Sequence, residues 1–147
     1  KNIIQTLYST VNGKTITFLG WSFKKDTNDS RESAAIYVAD LLIDEQANIK
    51  VYDPKVTATQ MHSDLNYLGS RSEYENTKHL KTESNPYNAM EGAHAIAVLT
   101  EWDEFKSYDW QRIYKSMQKP AFIFDGRNVL DRGPLETIGF TYKGIGS

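Results

Sequence analysis

Short apolar runs that alternate with segments of helical period constrain this chain more than any other feature it carries. Thr15 to Leu19, Ile49 to Tyr52, Ala95 to Leu99 and Ala121 to Phe124 are rich in β-branched and aromatic residues. The first has the composition of a strand buried on both faces. Between them, Ala35, Val38, Ala39 and Leu42 repeat at i, i+3, i+4 and i+7, and Trp110, Ile113 and Met117 mark a second helical stripe with Pro120 beyond its end. Such alternation predicts parallel β-α-β units with right-handed crossovers.

The remaining segments are read on the same terms. Asn2 to Tyr8 has the pattern of a helix tail, and Asn12-Gly13-Lys14 is a turn. Asp29 and Glu32 stand three apart, as N-cap and N3 do, so a helix is expected to open near Asp29 with Arg31 in its first turn. Ser63 to His79 is polar and without usable period, and is read as an irregular insertion. Leu80 to Thr82 is a short edge strand, Pro86 to Gly92 a short helix, Pro134 to Ile138 a helical turn and Phe140 to Lys143 a last strand. The expected fold is α/β: a Rossmann-like, doubly wound, mainly parallel sheet of about six strands with helices on both faces. With the edge strand third, the expected order is 3-2-1-4-5-6. That order puts a switch point between the strands at Thr15 and Ala95, and ligands of such sheets bind beyond the carboxyl ends of the strands there.

Composition narrows the function. A chain of 147 residues, 39% hydrophobic and 24% charged, makes one domain with a real core. The net charge of −2 gives no support to nucleic-acid binding or a polybasic membrane role. No apolar run approaches the roughly 18 residues of a spanning helix. No signal-peptide pattern opens the chain. The absence of cysteine removes disulfides and any thiol nucleophile, and fits a cytoplasmic protein. The first residue is Lys1 rather than Met, which suggests part of something larger. His62, His79 and His94 lack metal-ligand spacing. Asn28-Asp29-Ser30 matches a glycosylation sequon, read as chance without a secretory signal.

Three loops would border the crevice: Gly20 to Ser30, Thr100 to Phe105, and Asp125 to Asn128. The first, with the turn it feeds, carries Phe23, Lys24, Lys25 and Arg31; the third carries Arg127. An aromatic face and several cations at that edge suit an anionic ligand bearing a flat ring. No glycine cradle accompanies them, since no Gly precedes Lys24 as a Walker motif requires, and Gly20 stands alone where a dinucleotide fingerprint needs three glycines. Each cation has a second reading. Lys24 and Lys25 also fit a solvated pair, and Arg31 has Asp26, Asp29 and Glu32 beside it. Arg127 has Asp125 and Asp131. Asp53 stands where a dinucleotide fold places its ribose-binding carboxylate, but Pro54 favours a capped turn. Trp102 and Phe105 would either stack on a base or pack the strand-to-helix corner.

The run Gly20-Trp-Ser-Phe-Lys-Lys-Asp-Thr-Asn-Asp-Ser-Arg-Glu-Ser33 resembles the C-terminal UDP-binding domain of the UDP-glucose/GDP-mannose dehydrogenase family. Val51-Tyr-Asp-Pro-Lys55, Gly92-Ala-His-Ala95, Leu99-Thr-Glu-Trp-Asp103 and Phe122-Ile-Phe-Asp-Gly-Arg127 continue the likeness over nearly the whole chain. It is nearer the UDP-glucose branch than the GDP-mannose branch. The resemblance implies oxidation of UDP-glucose to UDP-glucuronate by two NAD-linked hydride transfers through a thiohemiacetal. It implies that Phe23, Lys24 and Arg127 contact the UDP-sugar and that Arg31 reaches NAD, held mainly by an N-terminal domain of the same polypeptide. The family's catalytic cysteine and its helpers lie in that other part, so this chain is expected to be inactive alone. Residues 1–10 would be the end of a central linker helix and 11–147 the UDP-binding domain, with a homo-oligomer at full length. The alternatives are a stand-alone nucleotide-binding or interaction module and a self-sufficient NAD-binding domain.

Overall fold

A computed structural model describes residues 10–144. The helix tail expected at Asn2 to Tyr8 lies outside the described residues. Six strands, β1 (Thr15–Leu19), β2 (Asn48–Tyr52), β3 (Leu80–Thr82), β4 (Ala95–Val98), β5 (Phe122–Asp125) and β6 (Thr141–Gly144), form one sheet in the order β3-β2-β1-β4-β5-β6. Every pairing is parallel, with Phe18 opposite Val51 on one side and Ala97 on the other. This is the order expected from the sequence, with β1 and β4 flanking the switch point.

The helices are α1 (Ala34–Asp44), α2 (Ala58–Tyr67), α3 (Glu73–His79), α4 (Pro86–Met90), α5 (Trp110–Ser116) and α6 (Arg132–Ile138), with a 3-10 helix at Asp103–Ser107. Period-2 alternation along the strands divides the core. Ile16, Phe18, Val51, Ala97 and Phe124 pack with Ala35, Ala39 and Leu42 of α1 and with Met61 and Leu65 of α2. Leu19, Ile96, Val98 and Ile123 face the other way, onto Met90, Phe105, Trp110, Ile113 and Leu135. Helices therefore cover both faces, and β1 and β4 are buried throughout apart from half-buried Thr15.

Two expectations are corrected. The first helix does not open at Asp29. Asp29 spends its carboxylate locally, accepting from the Arg31 backbone N–H at 3.0 Å and from the Arg31 guanidinium, which is the competing turn that short acidic side chains offer. Glu32 then takes a left-handed φ of 59°, which no helix can include. Ser33 is the true cap: it is buried, and its Oγ accepts from Ala35 N at 3.2 Å. Arg31 thus sits in a turn before the helix.

The stretch from Ser63 to His79 is not an irregular insertion but the end of α2, a short turn and α3. Its apolar period is faint because α2 buries only Met61 and Leu65, and α3 buries only Asn76. Polar bonds hold it instead. Arg71 donates to Asn76 Oδ1 at 2.7 Å and to Asp44 Oδ1 at 2.8 Å, and Asn76 Nδ2 donates to Asn66 Oδ1 at 2.7 Å. Thr57 with Gln60 and Ser72 with Glu75 were the visible signals, a capping residue followed three later by Gln or Glu.

Candidate functional site

The site is built at the carboxyl ends of β1, β2, β4 and β5, and its first element is Gly20. Gly20 follows β1 with a φ of +103°, and a Cβ placed there would lie 2.4 Å from Thr100 Cβ and 2.8 Å from the Thr100 backbone nitrogen. Only glycine lets the β1 loop pass that close to the β4 loop. Thr100 then donates from Oγ1 to the carbonyl of Ser22 at 2.9 Å, so the two loops are joined beside the switch point.

Asp53, at the end of β2, is the organising carboxylate. Its Oδ2 accepts from Trp21 N at 2.7 Å, Ser22 N at 3.0 Å and Trp102 Nε1 at 3.3 Å; its Oδ1 accepts from Lys55 N at 2.8 Å and Val56 N at 3.0 Å. It is buried and its oxygens are taken. The capped turn is therefore the correct reading, and a ribose-binding role is not. Trp102 is buried and Phe105 fully so, which places both in the corner packing rather than on a base.

A second carboxylate, Asp64 of α2, was not foreseen, because it lies in the stretch read as irregular. Its Oδ2 accepts from Trp21 Nε1 at 3.0 Å and from Ser30 Oγ at 2.6 Å, closing the loop between those residues. Phe23 N completes the loop by donating to the Asp29 carbonyl at 2.7 Å. Phe23 is left 48% exposed, large for an aromatic on a well-anchored loop.

The cations divide by partner. Lys25 Nζ is 3.5 Å from Asp103, whereas the Lys24 ammonium has no partner among the described residues. Arg127, on the loop after β5, reaches across both neighbouring loops. Its Nε donates to the Leu99 carbonyl at 3.2 Å, its Nη2 donates to the Phe23 carbonyl at 3.0 Å, and its Nη1 is 3.6 Å from Glu101 Oε1. Asp125 takes only the Arg127 backbone N–H, at 3.1 Å, along with Leu130 N and Tyr142 Oη. The structure thus brings Phe23, Lys24 and Arg127 to one edge. Arg31 is paired with Asp29, its side chain 89% exposed. That mutual bonding holds Asp29 below the usual carboxylate range and Arg31 above the usual guanidinium value.

Among the described residues, three of the four non-glycine residues with positive φ, Asp26, Glu32 and Asn128, lie in the loops that carry the candidate cations, the fourth being Gln46. Nearby, Glu104 accepts from Tyr52 Oη at 2.8 Å and Tyr108 Oη at 2.6 Å. Burial first, and then the bond and charge of Glu104, push Tyr52 up to about 12 and Tyr108 higher still. Both phenols stay neutral donors and carry no proton chemistry at ordinary pH.

Surface hollows lie away from the candidate ligand contacts. One hollow of about 680 Å³ lies between α2 and the start of α3, beside His62 and Tyr67, and another of about 310 Å³ is lined by Trp110, Leu130 and Leu135. Neither includes Phe23, Lys24, Arg31 or Arg127. A third hollow, of about 490 Å³ beside β2 and β3, is lined by Lys50, Lys78 and Lys81 with His62 and His79, and it does not include them either. No helix of the described residues is long and apolar enough to cross a membrane.

A doubly wound parallel domain of this kind belongs to the class whose ligands bind beyond the carboxyl ends of the strands at the switch point, and here that edge carries an exposed aromatic, a lysine and an arginine. The comparisons give the family. Residues 17–132 match the UDP binding domain of the UDP-glucose/GDP-mannose dehydrogenase family, and the chain belongs to that family. It is 48% identical over 146 residues to a UDP-glucose 6-dehydrogenase of Mus musculus and 44% identical over 155 residues to UDP-glucose 6-dehydrogenase 5 of Oryza sativa subsp. japonica. Each alignment covers 98% of this chain but 30% and 32% of the relative, so the chain spans about a third of the length of those proteins. Among solved structures, an NDP-N-acetyl-D-galactosaminuronic acid dehydrogenase from Methanosarcina mazei Go1 superposes with a TM-score of 0.75 at 26% identity, over 98% of this chain and 27% of that one.

Proposed function

We propose that this chain is the UDP-sugar-binding part of an NAD-dependent UDP-glucose 6-dehydrogenase and catalyses nothing by itself. The observation that carries this reading is the reach of Arg127 from the β5 loop to the Phe23 carbonyl of the β1 loop, beside Lys24, whose ammonium has no partner among the described residues. Phe23 offers a face for stacking, Lys24 a mobile charge and Arg127 a planar fork for a diphosphate. The residues of this chain do not fit a complete NAD site: Asp53 is fully engaged, Gly20 has no companion glycines, and only exposed Arg31 is available as an outlying contact. When bound, NAD accepts the hydride from the sugar. Its principal site is assigned to an N-terminal domain of the same polypeptide. The full-length protein is expected to be a cytoplasmic homo-oligomer.

Calorimetric titration of UDP into the parent chain, Arg127→Ala and Lys24→Ala tests the site. Weaker binding in both variants is expected, and equal affinity in all three proteins overturns the assignment. NAD binding as tight as UDP binding would favour a self-sufficient dinucleotide domain instead.

A further inference from the structure

Among the described residues, Glu101 is the one carboxylate paired with the Arg127 guanidinium, and it faces it in an unusual way. Its Oε1 is buried, 3.6 Å from Arg127 Nη1, and has no hydrogen-bond partner among the described residues. A buried carboxylate oxygen without a bond is costly. Arg127 does not need Glu101 for its position, because Nε and Nη2 are already anchored on the carbonyls of Leu99 and Phe23. Both terminal nitrogens of the guanidinium keep N–H groups beyond those two bonds. Glu101 therefore contributes charge next to the fork rather than geometry.

We propose that Glu101 sets the charge preference of this site, admitting a diphosphate esterified at both ends and disfavouring nucleotides with a free terminal phosphate. The proposal rests on the reading that Arg127 binds the UDP-sugar. A negative charge fixed beside the fork repels every anion that docks there, in proportion to the anion's charge. UDP-glucose carries one charge fewer than UDP at pH 8, and UTP carries one more, since a terminal phosphate loses its second proton near pH 6. Glu101 thus favours the intact nucleotide sugar over UDP and UTP, which would otherwise gain most from a cationic edge. Lys24 supplies attraction for all three, while Glu101 grades it.

The test is calorimetry of the intact protein at pH 8 with UDP-glucose, UDP and UTP, for the parent, Glu101→Gln, Glu101→Asp and Arg127→Ala. Glu101→Gln keeps size and removes charge. It is expected to tighten UDP about threefold and UTP about tenfold relative to UDP-glucose, with the spread shrinking as salt rises. Glu101→Asp keeps the charge and the parental order. If Arg127→Ala weakens all three ligands while Glu101→Gln shifts them equally or not at all, the Glu101 proposal is overturned and the site reading stands. If Arg127→Ala changes none of them, the site reading fails and this proposal falls with it. Thermal melts of each variant separate a folding defect from a change in preference.

Discussion

Arg127 Nη2 donates to the Phe23 carbonyl at 3.0 Å across 104 residues of sequence. The bond makes the backbone of one candidate ligand contact depend on the side chain of another. Removing the guanidinium therefore does two things at once: it deletes a charge-assisted donor and frees the tip of the β1 loop. Arg127→Ala is expected to weaken UDP by about 1.5–3 kcal/mol, roughly ten- to a hundredfold. Arg127→Lys is expected to recover less than half of that, because an ammonium cannot span the Leu99 and Phe23 carbonyls in one plane. Titration calorimetry on the three proteins gives the ranking.

Gly20→Ala should be among the most damaging single-methyl changes in the chain. The new Cβ would meet Thr100 at 2.4 Å while the backbone stays at a φ of +103°. A loss of about 2–4 kcal/mol is expected from overpacking and backbone strain together. Shortening Thr100 to Ala in the same chain should recover little, since the Thr100 Cβ and backbone nitrogen remain in the way. Urea unfolding midpoints measure both.

Asp53→Asn tests the organising carboxylate. Each oxygen of Asp53 serves at least two N–H groups, so an amide nitrogen in either position strands two or three of them. The expected cost is about 3 kcal/mol of stability. UDP affinity should fall as well, because Trp21 and Ser22 lead directly into Phe23. A variant with full stability would show that the loops are held by other means.

His94 gives a pH dependence at the opposite end of the sheet. Burial, and then the positive charge of Lys14, hold its pKa below the ordinary value of 6.5. Its Nδ1 accepts from Thr15 N at 3.1 Å, a bond that needs the neutral ring. The unfolded chain therefore takes up a proton before the native one does, and stability falls as the solution is acidified. The His94 contribution is complete above about pH 6.5 and is lost as pH drops through the depressed native value. Urea melts at pH 7.5 and pH 5, for the parent and His94→Asn, should show a smaller pH-dependent loss in the variant.

Legibility varied with the kind of interaction. β1, β4 and β5 stood out because buried strands must be apolar, and α1 because its stripe meets a sheet. Gly20, Lys24 and Arg127 could be placed at one edge once the strand order was inferred. Asp64 could not, because its function is to accept from Trp21 and Ser30, and no local pattern announces a bond made 34 or 43 residues away. The start of α1 was misread for a related reason. Asp29 and Glu32 satisfy the local capping rule, yet Asp29 is drawn to Arg31, and Ser33 wins because its hydroxyl also reaches the Ser22 carbonyl at 3.4 Å.

From sequence alone come the class of fold, the order of the sheet, the likeness to a family and the cations that border the crevice. These follow from hydrophobic period and from residue types whose chemistry is local. Tertiary structure alone decided that Lys25 rather than Lys24 meets Asp103, that Asp53 is a hub rather than a ribose contact, and that Glu101 stands against Arg127. Those outcomes depend on carbonyls and carboxylates brought together from separate strand ends, and distance across a fold is not a property of any single segment.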